Sequence, residues 1–114
     1  MTIFRCPLCG GPLWEIPQGL RCPKGHSFDR AAAGYVHLLP ANRKHSKNPG
    51  DDKEMVAARS AFLDKGHYAP LLQALSQAVT ESVSHLPQPV LLDSGCGEGY
   101  YTQGLFRALE EAGH

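Results

Sequence analysis

The chain has 114 residues, 42% of them hydrophobic and 19% charged, the size of one ordinary domain or of a small module joined to part of another. No apolar run approaches the roughly 20 residues that a membrane span needs, and the opening MTIFRCPLCG lacks the apolar core of a signal peptide, so the sequence reads as cytoplasmic and without a membrane partner. Formal net charge is zero, but residues 1–50 carry seven basic against two acidic residues (+5) and residues 51–114 carry four against nine (−5); a basic first half suits a polyanion, and an ordinary solvated surface fits the same charges as well.

Residues 1–40 are rich in Cys, Gly and Pro, and the apolar runs Leu13–Ile16 and Tyr35–Leu39 predict short strands between tight turns. Cys6-Pro7-Leu8-Cys9 and Cys22-Pro23-Lys24-Gly25-His26 form two ligand pairs separated by twelve residues. Each Cys-Pro turn can aim two side chains at one point, and tetrahedral Zn²⁺ needs four such donors. Gly10 and Gly25 supply the backbone freedom these knuckles require. In a reducing compartment clustered thiols are metal ligands rather than disulfides. A thioredoxin-like pair would need neither Cys22 nor His26, and an iron–sulfur cluster more usually takes four cysteines. The expectation is a closed structural zinc site made by Cys6, Cys9, Cys22 and His26. A module this small cannot stand on hydrophobic burial alone, so the metal would contribute folding energy directly. Cys96 stands apart, and His37, His45, His67, His85 and His114 lack such company.

Residues 41–50 read as a polar, basic linker ending in the Asn48-Pro49-Gly50 stop. Residues 51–114 then turn helical. Asp51 with Glu54 resembles a capping box, which opens a helix to about Asp64 with Met55, Ala58 and Phe62 on one face and Gly66 closing it. A second helix starts at Pro70, with Leu72, Leu75, Val79 and Val83 at helical spacing, and cannot continue through Pro87 and Pro89. Val90–Asp93 predicts a short apolar strand, followed by the Gly95-x-Gly97-x-Gly99 turn and a third helix from Tyr100 to about Ala112. Strand, glycine-rich turn and helix are the opening unit of an α/β sheet.

This turn lacks the Gly-x-Gly-x-x-Gly of dinucleotide sites and the Lys-Ser/Thr of a P-loop. Asp93 at the strand's end would repel a pyrophosphate and suit a cationic ligand. S-adenosylmethionine carries a sulfonium and an ammonium and no phosphate, so Asp93, Gly95 and the glycines after them favour a methyl donor. A plain strand–helix turn would need only one glycine.

In order along the chain, the Cys-x-x-Cys and Cys-x-x-x-His module, Asn48–Asp51, Ala57–Tyr68 and Asp93–Tyr101 resemble the bacterial 23S rRNA guanine-N1 methyltransferases. Ser94 departs from the apolar residue more usual there. The resemblance implies a zinc-ribbon-like module that recognises a 23S rRNA hairpin, a Rossmann-like methyltransferase domain beginning within residues 51–114, and a homodimer. It places Tyr68, Gly97 and Glu98 against the cofactor; an aromatic staple between the first two helices is the alternative for Tyr68. Arg21, Lys24, Arg43, Lys44 and Lys47 would contact RNA phosphates. Only the first strand and helix of the sheet are reached, and no ribose-binding acid, adenine loop or proton acceptor is visible. The sequence is therefore expected to be the N-terminal, truncated part of a longer enzyme, inactive by itself. A non-catalytic zinc-dependent RNA-binding module, or a methyltransferase for another RNA or a small molecule, are the competing readings.

Overall fold

The computed structural model describes residues 1–48 and 50–114, with Ala41 described by its backbone alone. Pro49, the centre of the Asn-Pro-Gly stop, lies outside the described residues. The chain divides into two units, Met1–Pro49 and Gly50–His114.

In the first unit, β1 (Trp14–Ile16), β2 (Gly19–Arg21) and β3 (Ser27–Asp29) form an antiparallel sheet in sequence order. Pro17 and Gln18 make a two-residue loop that sets Ile16 opposite Gly19, Glu15 opposite Leu20 and Trp14 opposite Arg21. The second hairpin sets Leu20 opposite Phe28 and Gly19 opposite Asp29. Side chains alternate across a sheet, so Leu20 and Phe28 share the buried face while Trp14 and Arg21 share the other. Gly19 is fixed by packing, because a Cβ there would lie 2.0 Å from the Phe28 carbonyl oxygen.

Leu13, Leu20 and Phe28 form the core together with Cys6 and Cys22, and Val36 and Leu38 pack against it. Three aliphatic or aromatic side chains cannot stabilise an independent fold of this length, so the cysteines are structural members of the core. Tyr35–Leu39, expected as a strand, makes only one bridge, from Val36 to Arg30. The Ala31–Tyr35 turn, closed by Ala31 N–H to Tyr35 O at 2.8 Å, feeds this segment back across the core. Val36 and Leu38 pack against the core instead of extending the ladder, while Tyr35 and Leu39 stay exposed. The segment read as a linker contains one 3₁₀ turn, Ala41–Arg43.

The second unit holds α1 (Lys53–Asp64), α2 (Ala69–Val83) and α3 (Tyr100–Glu111). The N-cap of α1 is Asp52, not Asp51: its carboxylate accepts from the Met55 N–H at 2.8 Å, the third-residue contact that a capping side chain makes. Asp51 instead pairs with Arg59 at 2.5 Å. Met55, Ala58 and Phe62, expected on one face of α1, are exposed, and Leu63 is the buried residue of this helix. Gly66 closes the helix with φ +82°. Helix α2 begins at Ala69, with Pro70 in its first turn. It packs on α3, closely enough that a Cβ on Gly104 would lie 2.6 Å from both methyls of Leu72.

Val90–Asp93 does not form the expected strand. The three apolar residues have no ladder partner among the described residues, and a single extended segment cannot satisfy its backbone groups by itself. Val90 is 71% and Leu92 70% exposed. The expected strand–helix unit is thus present only as the turn and its helix.

Candidate metal centre and cofactor turn

The two knuckles bring Cys6, Cys9, Cys22 and His26 together, with one donor atom of each within 4.8 Å of the others. In the first knuckle the Gly10 N–H donates to Cys6 O and the Cys6 N–H to Gly11 O, both at 2.8 Å. In the second, Cys22 N–H donates to His26 O at 3.0 Å and Gly25 N–H to Cys22 O at 2.9 Å. Gly10 (φ +69°) and Gly25 (φ +84°) adopt the left-handed conformation that each turn needs. Glycine follows the second ligand in the first knuckle and precedes it in the other, which accounts for the unequal ligand spacing.

The separations test which ion fits. Zinc–sulfur and zinc–nitrogen bonds of ordinary length in a tetrahedron place two sulfurs about 3.8 Å apart, and a sulfur and a nitrogen about 3.6 Å apart. Cys9 Sγ and Cys22 Sγ are 3.7 Å apart, and His26 Nδ1 lies 3.5 Å from Cys6 Sγ and 3.3 Å from Cys22 Sγ. The donor set and its dimensions fit Zn²⁺ bound through Nδ1 of His26, in a site with four protein ligands and no open position.

The electrostatics call for a cation. Burial pushes the Cys6 thiol up, but backbone N–H groups of Leu8 and Cys9 and the neighbouring thiols outweigh it, so its pKa falls. Burial likewise opposes ionisation of Cys22, and the His26 N–H, the Cys9 thiol and the Lys24 N–H bring its pKa down. The Gly11 N–H pulls Cys9 down, yet burial and the sulfurs of Cys6 and Cys22 push its pKa up. Three thiolates this close repel one another unless a dication sits among them.

Of the residues expected to meet phosphate, Arg21 and Lys24 flank Cys22 and are exposed. Arg43 ends the 3₁₀ turn, and Lys44 and Lys47 follow it, all exposed.

In the second unit the glycine-rich turn is shaped by its glycines. Gly95 (φ +78°), Gly97 (φ +58°) and Gly99 (φ +87°) are all left-handed, and Gly99 is the N-cap of α3. The backbone alone therefore explains all three. A Cβ on any of them would meet nothing within 4 Å, so the space beside the turn is open. Thr102 donates to Asp93 Oδ2 at 2.6 Å and ties the turn to α3, a contact not anticipated from sequence. Asp93 and Gly95 line one cleft, with Leu75, Leu91 and Tyr101. Glu98 lines another, beside Asp51 and Asp52 before α1 and Val56 and Ser60 within it. Tyr68 lines neither of these clefts and stands edge-on to Phe62, ring centroids 5.8 Å apart.

Two hairpin-linked knuckles around a three-cysteine, one-histidine centre define a zinc ribbon. Residues 4–47 match the family model described as RlmA, N-terminal, a zinc ribbon. The chain is 43% identical over 108 residues to the 23S rRNA (guanine(748)-N(1))-methyltransferase of Streptomyces fradiae, a match covering 95% of this chain and 36% of that protein. A Micromonospora griseorubida protein named as a 23S rRNA (guanine-N(1)-)-methyltransferase is 39% identical over 125 residues, 96% of this chain and 41% of its own length. A similarly named protein of Bacillus subtilis (strain 168) is 34% identical over 107 residues, covering 91% of this chain and 36% of that protein. The similarity runs along nearly all of this chain, which spans about two fifths of the length of the curated relatives it matches. Among the described residues no helix is long and apolar enough to cross a membrane.

Proposed function

We propose that the chain is the RNA-recognising and cofactor-turn portion of an S-adenosylmethionine-dependent methyltransferase that modifies N1 of a guanine in a 23S rRNA hairpin. One observation carries this reading. The zinc cluster and the Asp93–Gly99 turn occur in one chain, and 95% of that chain aligns with a protein named for this reaction. In the proposed division of labour residues 1–40 recognise RNA, residues 41–50 link, and residues 51–114 begin a Rossmann-like methyltransferase domain. The enzyme acts in the cytoplasm as a homodimer.

The zinc centre has no open position and takes no part in the chemistry. Its role is to hold the ribbon so that Arg21, Lys24, Arg43, Lys44 and Lys47 meet phosphates, which position an RNA without reading its sequence. The open side of Gly95, Gly97 and Gly99 lets the cofactor approach backbone, and Asp93 and Glu98 supply negative charge to its cationic methionine half. Tyr68 contributes only if its ring turns from Phe62 toward the ligand. S-adenosylmethionine supplies the methyl group. The nucleophilic N1 takes the methyl as the carbon–sulfur bond breaks, and the N1 proton is lost to a base.

N1-methylguanine cannot pair, so reverse transcription of 23S rRNA stops beside it. Deleting the gene should abolish one such stop, and restoring it should bring the stop back. An unchanged stop pattern overturns the proposal.

A further inference from the structure

Trp14 is the only tryptophan of the chain, and it sits on β1 with 41% of its surface exposed. The register places it directly opposite Arg21 on β2, so the two share one face of the sheet. Ile16 and Asp29 lie at the far end of that face, each paired with the buried Gly19. The core lies on the other face, against Leu20 and Phe28. The result is an exposed indole with an exposed arginine as its cross-strand partner on the same face. Lys24 follows in the second knuckle, which the Cys22 N–H closes onto His26 O at 3.0 Å directly after the strand that carries Arg21.

We infer that Trp14 is a base-stacking residue: an unpaired nucleobase of the RNA lies on its indole while Arg21 takes the adjoining phosphate. This rests on the RNA reading above and adds a residue and a contact to it. The partner is RNA because of charge. The unit is strongly basic, with seven basic against two acidic residues in 1–50, and the aromatic platform has a cation as its cross-strand neighbour. Single-stranded loops are bound in this way, by stacking on sheet-borne aromatics with basic side chains along the backbone. A duplex keeps its bases stacked on one another and cannot use such a platform.

Because the tryptophan is unique, its fluorescence reports on this one position. The zinc-loaded chain is titrated with a short RNA hairpin bearing an unpaired loop, and with the same strand paired into a full duplex. Saturable quenching is expected with the hairpin and not with the duplex. Trp14→Leu, which keeps an apolar strand residue but removes the π face, should weaken hairpin binding about ten-fold. Trp14→Phe should stay within about three-fold, and Arg21→Ala should lower the salt slope by about one. Bound zinc is measured for every variant, and quenching of the unaltered chain decides alone if a variant loses its metal. Unchanged fluorescence at saturating hairpin, equal quenching by duplex, or tight binding by zinc-loaded Trp14→Leu each overturns the stacking role and leaves the RNA reading standing. No binding of either RNA at low salt overturns both.

Discussion

Thr102 reaches back from the first turn of α3 and donates its hydroxyl to Asp93 at 2.6 Å, so the two ends of the glycine-rich turn are joined by a side-chain bond. Three left-handed glycines between them would otherwise leave a loose segment, since glycine surrenders the most backbone freedom on ordering. Replacing Thr102 with Val keeps the shape and removes the donor. A part-buried hydrogen bond to a carboxylate contributes about 2 kcal/mol. Thr102→Val should lower stability by about that amount in denaturant titration and speed amide exchange across residues 94–99.

Removal of the metal should act on one unit. With a strong chelator the ribbon loses four of the contacts that hold its small core, and Cys6 and Cys22 leave the cluster they form with Leu13, Leu20 and Phe28. The fluorescence of Trp14 should shift to that of a solvated indole while the helical circular dichroism of α1–α3 is largely kept. One zinc per chain should restore the native spectrum, and Cys22→Ser should prevent the restoration.

At Gly19 the obstacle is the backbone. A methyl group there would overlap the Phe28 carbonyl at 2.0 Å, and neither strand can move without opening the β2–β3 pairing. Gly19→Ala should destabilise the ribbon by about 3 kcal/mol and weaken zinc retention in competition with a chromogenic chelator.

Gly104 offers a contrasting case, because its neighbour is the end of a leucine. Alanine gains about 1 kcal/mol of helix propensity over glycine, but its Cβ must push aside both methyls of Leu72 at 2.6 Å. The two effects should nearly cancel in Gly104→Ala. In a Leu72→Ala background the obstacle is gone, and the same change should stabilise by about 1 kcal/mol in a thermal-unfolding double-mutant cycle.

The metal ligands were legible in sequence because knuckle geometry is local: a Cys-Pro turn and its glycine fix where two donors point. Helix ends were nearly as legible, since Asp52, Gly66 and Gly113 act on their own turns, although the choice between Asp51 and Asp52 depended on which carboxylate Arg59 would hold. Non-local pairing was less accessible. Val36 and Leu38 read as strand residues yet serve the core, and Val90–Leu92 reads as a strand yet lacks a neighbour to make it one. The sequence does not single out Trp14, because its meaning comes from Arg21 across the sheet. The Pro17-Gln18-Gly19 turn signal after the apolar run Leu13–Ile16 is what could fix that register.

An extended segment with free backbone donors and acceptors, flanked by bare hydrocarbon, is an adhesive edge. Val90 and Leu92 present one, and Phe106 on α3 is 60% exposed. At high concentration two copies of this chain should therefore cling through that segment without a fixed register. Light scattering that grows with concentration and falls when Leu92 is changed to Lys would mark such clinging as stickiness of uncovered apolar side chains, different in kind from a functional dimer.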